Sequence, residues 1–158
     1  MKQIFFIAAL FFCLSCQSTK EATVANQKYK IESLVIMKSP CFGTCPMYTL
    51  EIKKEGDAYL DARNFLKNEL KGKYTAQFSK KNMAQIAKEL NEMDFPSLSN
   101  TYGNVRVTDL PATDLTIQYN GGSIKKIHDY GNHGTPALEK FYMAIDSMLY
   151  MQTWEKVK

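Results

Sequence analysis

The spacing of apolar residues constrains this chain most, because it switches between a period of two and a period of 3.6 and back again. Tyr48, Leu50 and Ile52 alternate with Thr49, Glu51 and Lys53, the pattern of a strand with one face buried. Met83, Ile86, Ala87, Leu90 and Met93 then recur at helical spacing behind Ser79, an N-cap residue, which predicts an amphipathic helix of about four turns. Asp94-Phe95-Pro96 should stop it. Alternation returns with Leu115, Ile117 and Tyr119, and Asn120-Gly121-Gly122 leads into a second apolar run over 123–130, a strong hairpin signal. Thr135 as N-cap and Pro136 at the first helical position open a last helix of about 136–150, with Leu138, Phe141, Tyr142, Ile145 and Leu149 on one stripe.

Three further runs complete the pattern. Residues 31–37 are apolar and β-branched and end before Pro40, Glu55-Gly56-Asp57 turns the chain into 58–64, and Tyr74, Ala76 and Phe78 share a face in 73–78. The order is therefore ββββ-α-ββ-α, which predicts an α+β domain over 29–158: an antiparallel sheet of about six strands with two helices packed on it. Ile124 and Ile127 cannot share a face at a strict period of two, so a bulge near Lys125-Lys126, or a strand covered on both sides, is expected. The connection 95–111 lacks strong periodicity, and its length implies either function or unrecognised short structure.

A chain of 158 residues, 45% hydrophobic and 23% charged, fits one globular domain and excludes disorder, collagen and repeat arrays. Twenty Lys+Arg stand against sixteen Asp+Glu, and eighteen of the twenty are Lys scattered in runs no longer than two. That pattern keeps a protein soluble and argues against nucleic acid as a partner.

The N-terminus carries an address. Lys2 precedes an unbroken apolar run from Ile4 to Leu14, and Ser15 and Cys16 follow, so residues 1–15 are expected to be a signal peptide. Eleven apolar residues make a helix of roughly 16 Å, about half the hydrocarbon thickness, too short for a permanent span. Leu14-Ser15-Cys16 resembles the lipobox of bacterial lipoproteins, which implies that Cys16 becomes the lipid-bearing N-terminus and that the membrane is a partner through the lipid anchor. Cys13 stands where that family usually has Leu. Cleavage by an ordinary signal peptidase is the alternative. Gln17 after the Cys, rather than Asp, implies by the same resemblance the outer membrane, with either face open. Residues 16–28 are polar and aperiodic and should form a flexible tether reaching at most about 40 Å.

With Cys13 removed and Cys16 lipidated, Cys41 and Cys45 remain as an even pair in an exported protein. Pro40-Cys41-Phe42-Gly43-Thr44-Cys45-Pro46-Met47-Tyr48 admits two readings. One is a structural disulfide closing a tight loop, contributing about 2 kcal/mol. The other is redox or copper chemistry, since C-x-x-x-C-P resembles the copper site of Sco-type assembly proteins. In that thioredoxin-like family the motif opens a helix, whereas here it leads into the alternating strand 47–53. The stretch also resembles an uncharacterised family of small bacterial lipoproteins and secreted proteins that open with C-x-G-x-C-P-x-Y. Cys41, Gly43, Cys45, Pro46 and Tyr48 carry that resemblance, followed by Gly56, Thr108-Asp109, Ile145-Asp146 and Trp154. It covers about residues 31–155 and implies an address and a fold but no activity.

The remaining candidate chemistry is polar. His128 and His133 lie in one stretch, His128-Asp129-Tyr130-Gly131-Asn132-His133, which could host a metal or a general base, although the spacing matches no defined metal-ligand set. Asp109 and Asp114 flank Pro111, and a turn-forming role suits Asp109. No G-x-S-x-G, H-E-x-x-H, Walker or G-x-G-x-x-G pattern occurs, and no cofactor or metal is implied. The expectation is a lipid-anchored envelope domain that binds or scaffolds, with an envelope protein or a small ligand as its partner. The alternative is a redox or copper-handling protein using Cys41 and Cys45 with His128 or His133.

Overall fold

Each alternating run becomes a strand in the computed structural model, which describes residues 27–158. The strands are β1 (Ile31–Lys38), β2 (Met47–Lys53), β3 (Asp57–Asn64), β4 (Gly72–Gln77), β5 (Thr101–Tyr102), β6 (Ala112–Tyr119), β7 (Ser123–Tyr130) and β8 (Glu155–Lys156). The helices are α1 (Lys80–Glu92) and α2 (Pro136–Met151). The signal peptide, Cys16 and the tether as far as residue 26 lie outside the described residues.

All eight strands form one sheet in the order β5-β7-β6-β1-β2-β3-β4-β8. The expected six-strand, wholly antiparallel sheet is thus corrected in two places. β5 and β8 are two residues each, too short to display a period of two, and both lie at sheet edges, where short strands limit pairing with other chains. β5 also runs parallel to β7, with Thr101 opposite His128. It belongs to the 95–111 connection, which hides a 3-10 turn at Phe95–Ser97 as well.

The expected irregularity at Lys125-Lys126 is absent. β6 and β7 pair in unbroken register from Tyr119↔Ser123 to Ala112↔Tyr130. Ile127 is 1% exposed while Ile124, on the opposite face, is 60% exposed. Ile124 is simply an apolar residue on the open face, and the strand keeps its period of two. The register shifts in the sheet fall instead in β1 between Ile31 and Ser33 and in β2 between Met47 and Tyr48.

Both helices begin where their caps dictate. Ser79 Oγ accepts from the Asn82 amide at 3.2 Å and Thr135 Oγ1 from the Leu138 amide at 3.2 Å, each satisfying an amide that the first helical turn leaves free. α1 carries the chain from β4 across the sheet to β5, and α2 carries it back from β7 to β8. They therefore share one face. Leu34, Ile36, Tyr48, Leu50, Ile52, Leu60, Leu115 and Ile117 from alternate strand positions join Ile86, Leu90, Phe141, Ile145 and Leu149 in a single core.

Antiparallel pairing sorts the loops between two ends. The 39–46 loop, the 65–71 loop, the start of β6 and the end of β7 come together at one end. The turns 54–56 and 120–122 occupy the other, together with the entry of the chain into β1. That entry is fastened to the end of α1. The Tyr29 amide donates to Asn91 Oδ1 at 2.7 Å, and the Lys28 ammonium and Tyr29 hydroxyl both donate to Asp94 Oδ1, at 2.8 and 2.5 Å. These two donors hold the Asp94 carboxyl down at about 2.

Candidate functional site

Cys41 and Cys45 form a disulfide, with Cα atoms 5.8 Å apart, and both are half-buried. Pro46 then leads directly into β2, so no helix N-terminus faces either sulfur. Two bonds dock the loop. The Phe42 amide donates to the Asp109 carbonyl at 3.1 Å and the Ser39 amide to the Ala112 carbonyl at 2.9 Å. Asp109 sits in the left-handed region at φ +67°, a turn conformation open to Asp at low penalty, and it is its backbone oxygen that meets the loop. The Phe42 ring, 90% exposed, stands at the tip.

Just inside this loop, Asp146 of α2 accepts from the Tyr48 hydroxyl at 2.5 Å and from the Lys38 ammonium at 2.5 Å. Tyr48 points into the core because alternation along β2 places it with Leu50 and Ile52. Lys38 is the last residue of β1 and shares the face of Leu34 and Ile36, so its aliphatic stem runs under the helix and only its end reaches the carboxylate. Burial, then the neighbouring Asp146 charge, pushes the Tyr48 hydroxyl well above its usual pKa. At neutral pH that group is a donor and not a base.

Asp146 also borders an open-mouthed cavity of about 620 Å³, walled by Pro46 and Asn68 from the two loops and by Met143, Tyr150 and Met151 of α2. That volume falls within the range of about 300–1,000 Å³ typical of small-molecule sites. Lys67 and Ser147 complete the wall. Asn68 Oδ1 and the Tyr150 hydroxyl are buried without a hydrogen-bond partner among the described residues. Burial raises the Tyr150 pKa first and Asp146 second, while the backbone of Lys67 pulls it partly back, although the approach to Lys67 falls short of hydrogen-bond geometry. The structure thus joins Cys41, Cys45, Pro46, Tyr48 and Asp146 at one place, with Asp109 holding the loop from outside.

The histidines are placed differently. His128 lies on the open face of the sheet, its Nδ1 2.6 Å from Asp114 Oδ1 and its ring stacked along Tyr130. His133 is held by its backbone, its amide donating to Asp129 Oδ1 at 2.8 Å. Asp129, 1% exposed, points to the opposite face from His128. Burial raises its pKa, and the amides of His133 and Gly134 pull it back down. Asp129 therefore fastens the turn before α2. Among the described residues no group of three His, Cys, Asp or Glu side chains could hold a metal ion, and no helix is long and apolar enough to cross a membrane.

Lys38, Asn68 and Tyr150 escape a reading of sequence alone. Asn68 sits in a turn that carries no motif, and Lys38 looks like one of many surface lysines. A signal for Tyr150 did exist: Met143, Asp146, Ser147 and Tyr150 repeat at i, i+3, i+4 and i+7, a second stripe beside the apolar one.

The fold and the site define an α+β single-sheet domain with a cavity of ligand size beside a disulfide-closed loop. Residues 32–149 match the family described as a domain of unknown function (DUF6438), and the chain belongs to that family. The matched span takes in both cysteines, Tyr48 and Asp146. No curated protein matches the chain.

Proposed function

We propose that this chain is an exported protein held at a bacterial membrane, by its resemblance to lipoproteins the outer one, through lipid on Cys16, and that its domain binds a small ligand in the cavity beside the disulfide loop without turning it over. The observation that carries the binding half is a cavity of about 620 Å³ that sets apolar walls from Pro46, Met143 and Met151 beside the polar side chains of Lys67, Asp146 and Ser147, the mixture that small-molecule sites use. Binding without turnover is favoured by the state of the charged groups. Lys38 and the Tyr48 hydroxyl both occupy the Asp146 carboxylate, and burial holds Tyr48 protonated, so the Tyr48 hydroxyl acts there as a donor and not as a base.

The address half is supported by the apolar run Ile4 to Leu14 followed by Ser15-Cys16 and by a disulfide, which persists in oxidising compartments outside the cytosol. Replacing Cys16 by Ala tests it. The variant should leave the membrane pellet of a bacterial host and appear in the soluble fraction, since a diacylated cysteine supplies about 0.8 kcal/mol per buried methylene. A Cys16→Ala protein that still pellets through a high-salt wash would refute the anchor.

A further inference from the structure

We infer that the loop end of the domain, opposite the entry of the chain, is a docking surface for a protein partner, one that presents an apolar recess edged by Asp and Glu side chains. Four of the nine large apolar side chains that stand exposed among the described residues are on the tips of these loops: Phe42, Phe65, Val105 and Val107. An exposed apolar residue standing alone is ordinary, but a group on adjoining loops marks an interaction site. The backbone joins them into one row. Met47 pairs with Asn64, so Pro46 and Phe65 leave the sheet side by side. The Phe42 amide bonds to the Asp109 carbonyl, and the Tyr130 hydroxyl donates to the Val107 carbonyl at 2.8 Å. From β6 to β3 there are three strand spacings, roughly 15 Å, which fits inside the patch of about 800 Å² that one side of an ordinary interface covers.

The two rings are presented by a backbone already in place. The disulfide closes the loop that carries Phe42, and docking on Asp109 fixes its tip, so little ordering remains to be done on binding. Phe65 is 53% exposed and held at φ +60°, a left-handed conformation that disfavours a bulky side chain. Strain of that kind gathers at functional sites. The chain has only two Arg among its twenty basic residues, and both are here. Arg63 stands near the end of β3, two residues before Phe65, and Arg106 stands between Val105 and Val107. Protein interfaces are enriched in aromatic residues and Arg and depleted in Lys, and their strongest contacts come most often from those same residues.

Charge selects the partner. Arg63, Lys67, Lys71 and Arg106 give this end four cations against the two carboxylates of the loops, Glu69 and Asp109. Among the described residues Lys67, Lys71 and Arg106 have no ion-pair partner, and Arg63 reaches Asp61 only at 3.8 Å. A second copy of the chain would bring the same positive excess and be repelled. Position disfavours a bilayer, and this step alone rests on the reading that lipid on Cys16 anchors the chain. Residues 17–26 reach at most about 35 Å and join the domain at its other end, where Lys28 and Tyr29 are fastened to α1 and Asp94. A protein surface with carboxylates round an apolar recess answers both the rings and the charge.

The test places p-benzoylphenylalanine, one position at a time, at 42, 65 and 105 of the full-length chain in the cells that make it. Position 124, an exposed apolar site on the open face of the sheet, is the control. Ultraviolet irradiation should join the three loop positions to one protein and leave position 124 unjoined. That protein, identified by mass spectrometry and purified, is then titrated into the full-length Cys16→Ser chain by calorimetry. Phe42→Ser and Arg106→Glu should each weaken binding by roughly 10–100-fold. Both side chains are exposed, so the circular dichroism of each variant should match that of the parent. Added salt should weaken the parent more than Arg106→Glu. Adducts with lipid or with a second copy of the chain would overturn the protein partner in favour of that occupant. No adduct, one formed equally from position 124, or a captured protein that binds both variants as tightly as the parent would overturn the docking surface itself. None of Phe42, Phe65, Val105 and Arg106 lines the cavity, so each of these failures leaves the ligand reading standing.

Discussion

A carboxylate with two buried donors is a small assembly with large consequences when one member is removed. Asp146 is 28% exposed at its side chain and Lys38 18%, dry enough for their attraction to exceed that of a surface pair. Asp146→Ala would leave the Lys38 ammonium and the Tyr48 hydroxyl without their shared partner. It should lower stability by about 3 kcal/mol. Tyr48→Phe keeps the ring in the core and the Lys38 pair intact, so its loss should be about 1 kcal/mol. Urea unfolding of both variants checks the order, and equal losses would mean that the ion pair contributes little. At this scale the sequence is only half legible. Ser79 and Thr135 announce their caps because a cap is a local bond, spanning three residues in each case. The Tyr48–Asp146 bond joins residues 98 apart, and only the topology that lays α2 over the end of β2 brings them together.

Among the elements, the loop that β1 and β2 share governs how the site end is shaped. Its ring is short, so cross-linking removes little entropy from the unfolded chain, about 2 kcal/mol. The loop is also docked through the Phe42 amide to Asp109 and through Ser39 to Ala112, bonds that need no disulfide. Reduction should therefore lower stability by about 2 kcal/mol, measured by urea unfolding with and without reductant, and leave the spectra of β1 and β2 unchanged. If the thiols instead serve copper chemistry, the reduced chain should take up copper(I) stoichiometrically and lose that uptake in Cys41→Ser, which would displace the binding proposal in favour of the redox one. Element type followed from period wherever a run was long enough to show one. β5 and β8 were invisible because two residues carry no period. Ile124 misled because an isolated exposed apolar residue is ordinary on a sheet's open face, and the unbroken β6–β7 register left nothing for a bulge to correct.

At the scale of the whole molecule, the two ends of the sheet have different tasks. Residues 27–29 enter at the end with the 54–56 and 120–122 turns and are fastened there by Asn91 and Asp94 of the α1 terminus. The disulfide loop, the cavity and the exposed Phe42 sit at the opposite end. This polarity was beyond the reach of sequence alone, because it follows from the pairing of β1 with both β2 and β6 and not from any one segment. Combined with the proposed lipid on Cys16, it sets an orientation. The ten residues 17–26 span at most about 35 Å, and they join the domain at the end remote from the cavity, so the cavity should face away from the bilayer on average. Lipidated, ¹⁵N-labelled protein on nanodiscs doped with a gadolinium-chelating lipid measures this directly. Amides of Gly121 and Gly122 should broaden more than those of Phe42 and Gly43, because paramagnetic relaxation falls steeply with distance from the lipid surface. The reverse order of broadening would place the cavity against the membrane and make lipid, and not a soluble ligand, the molecule that meets it first.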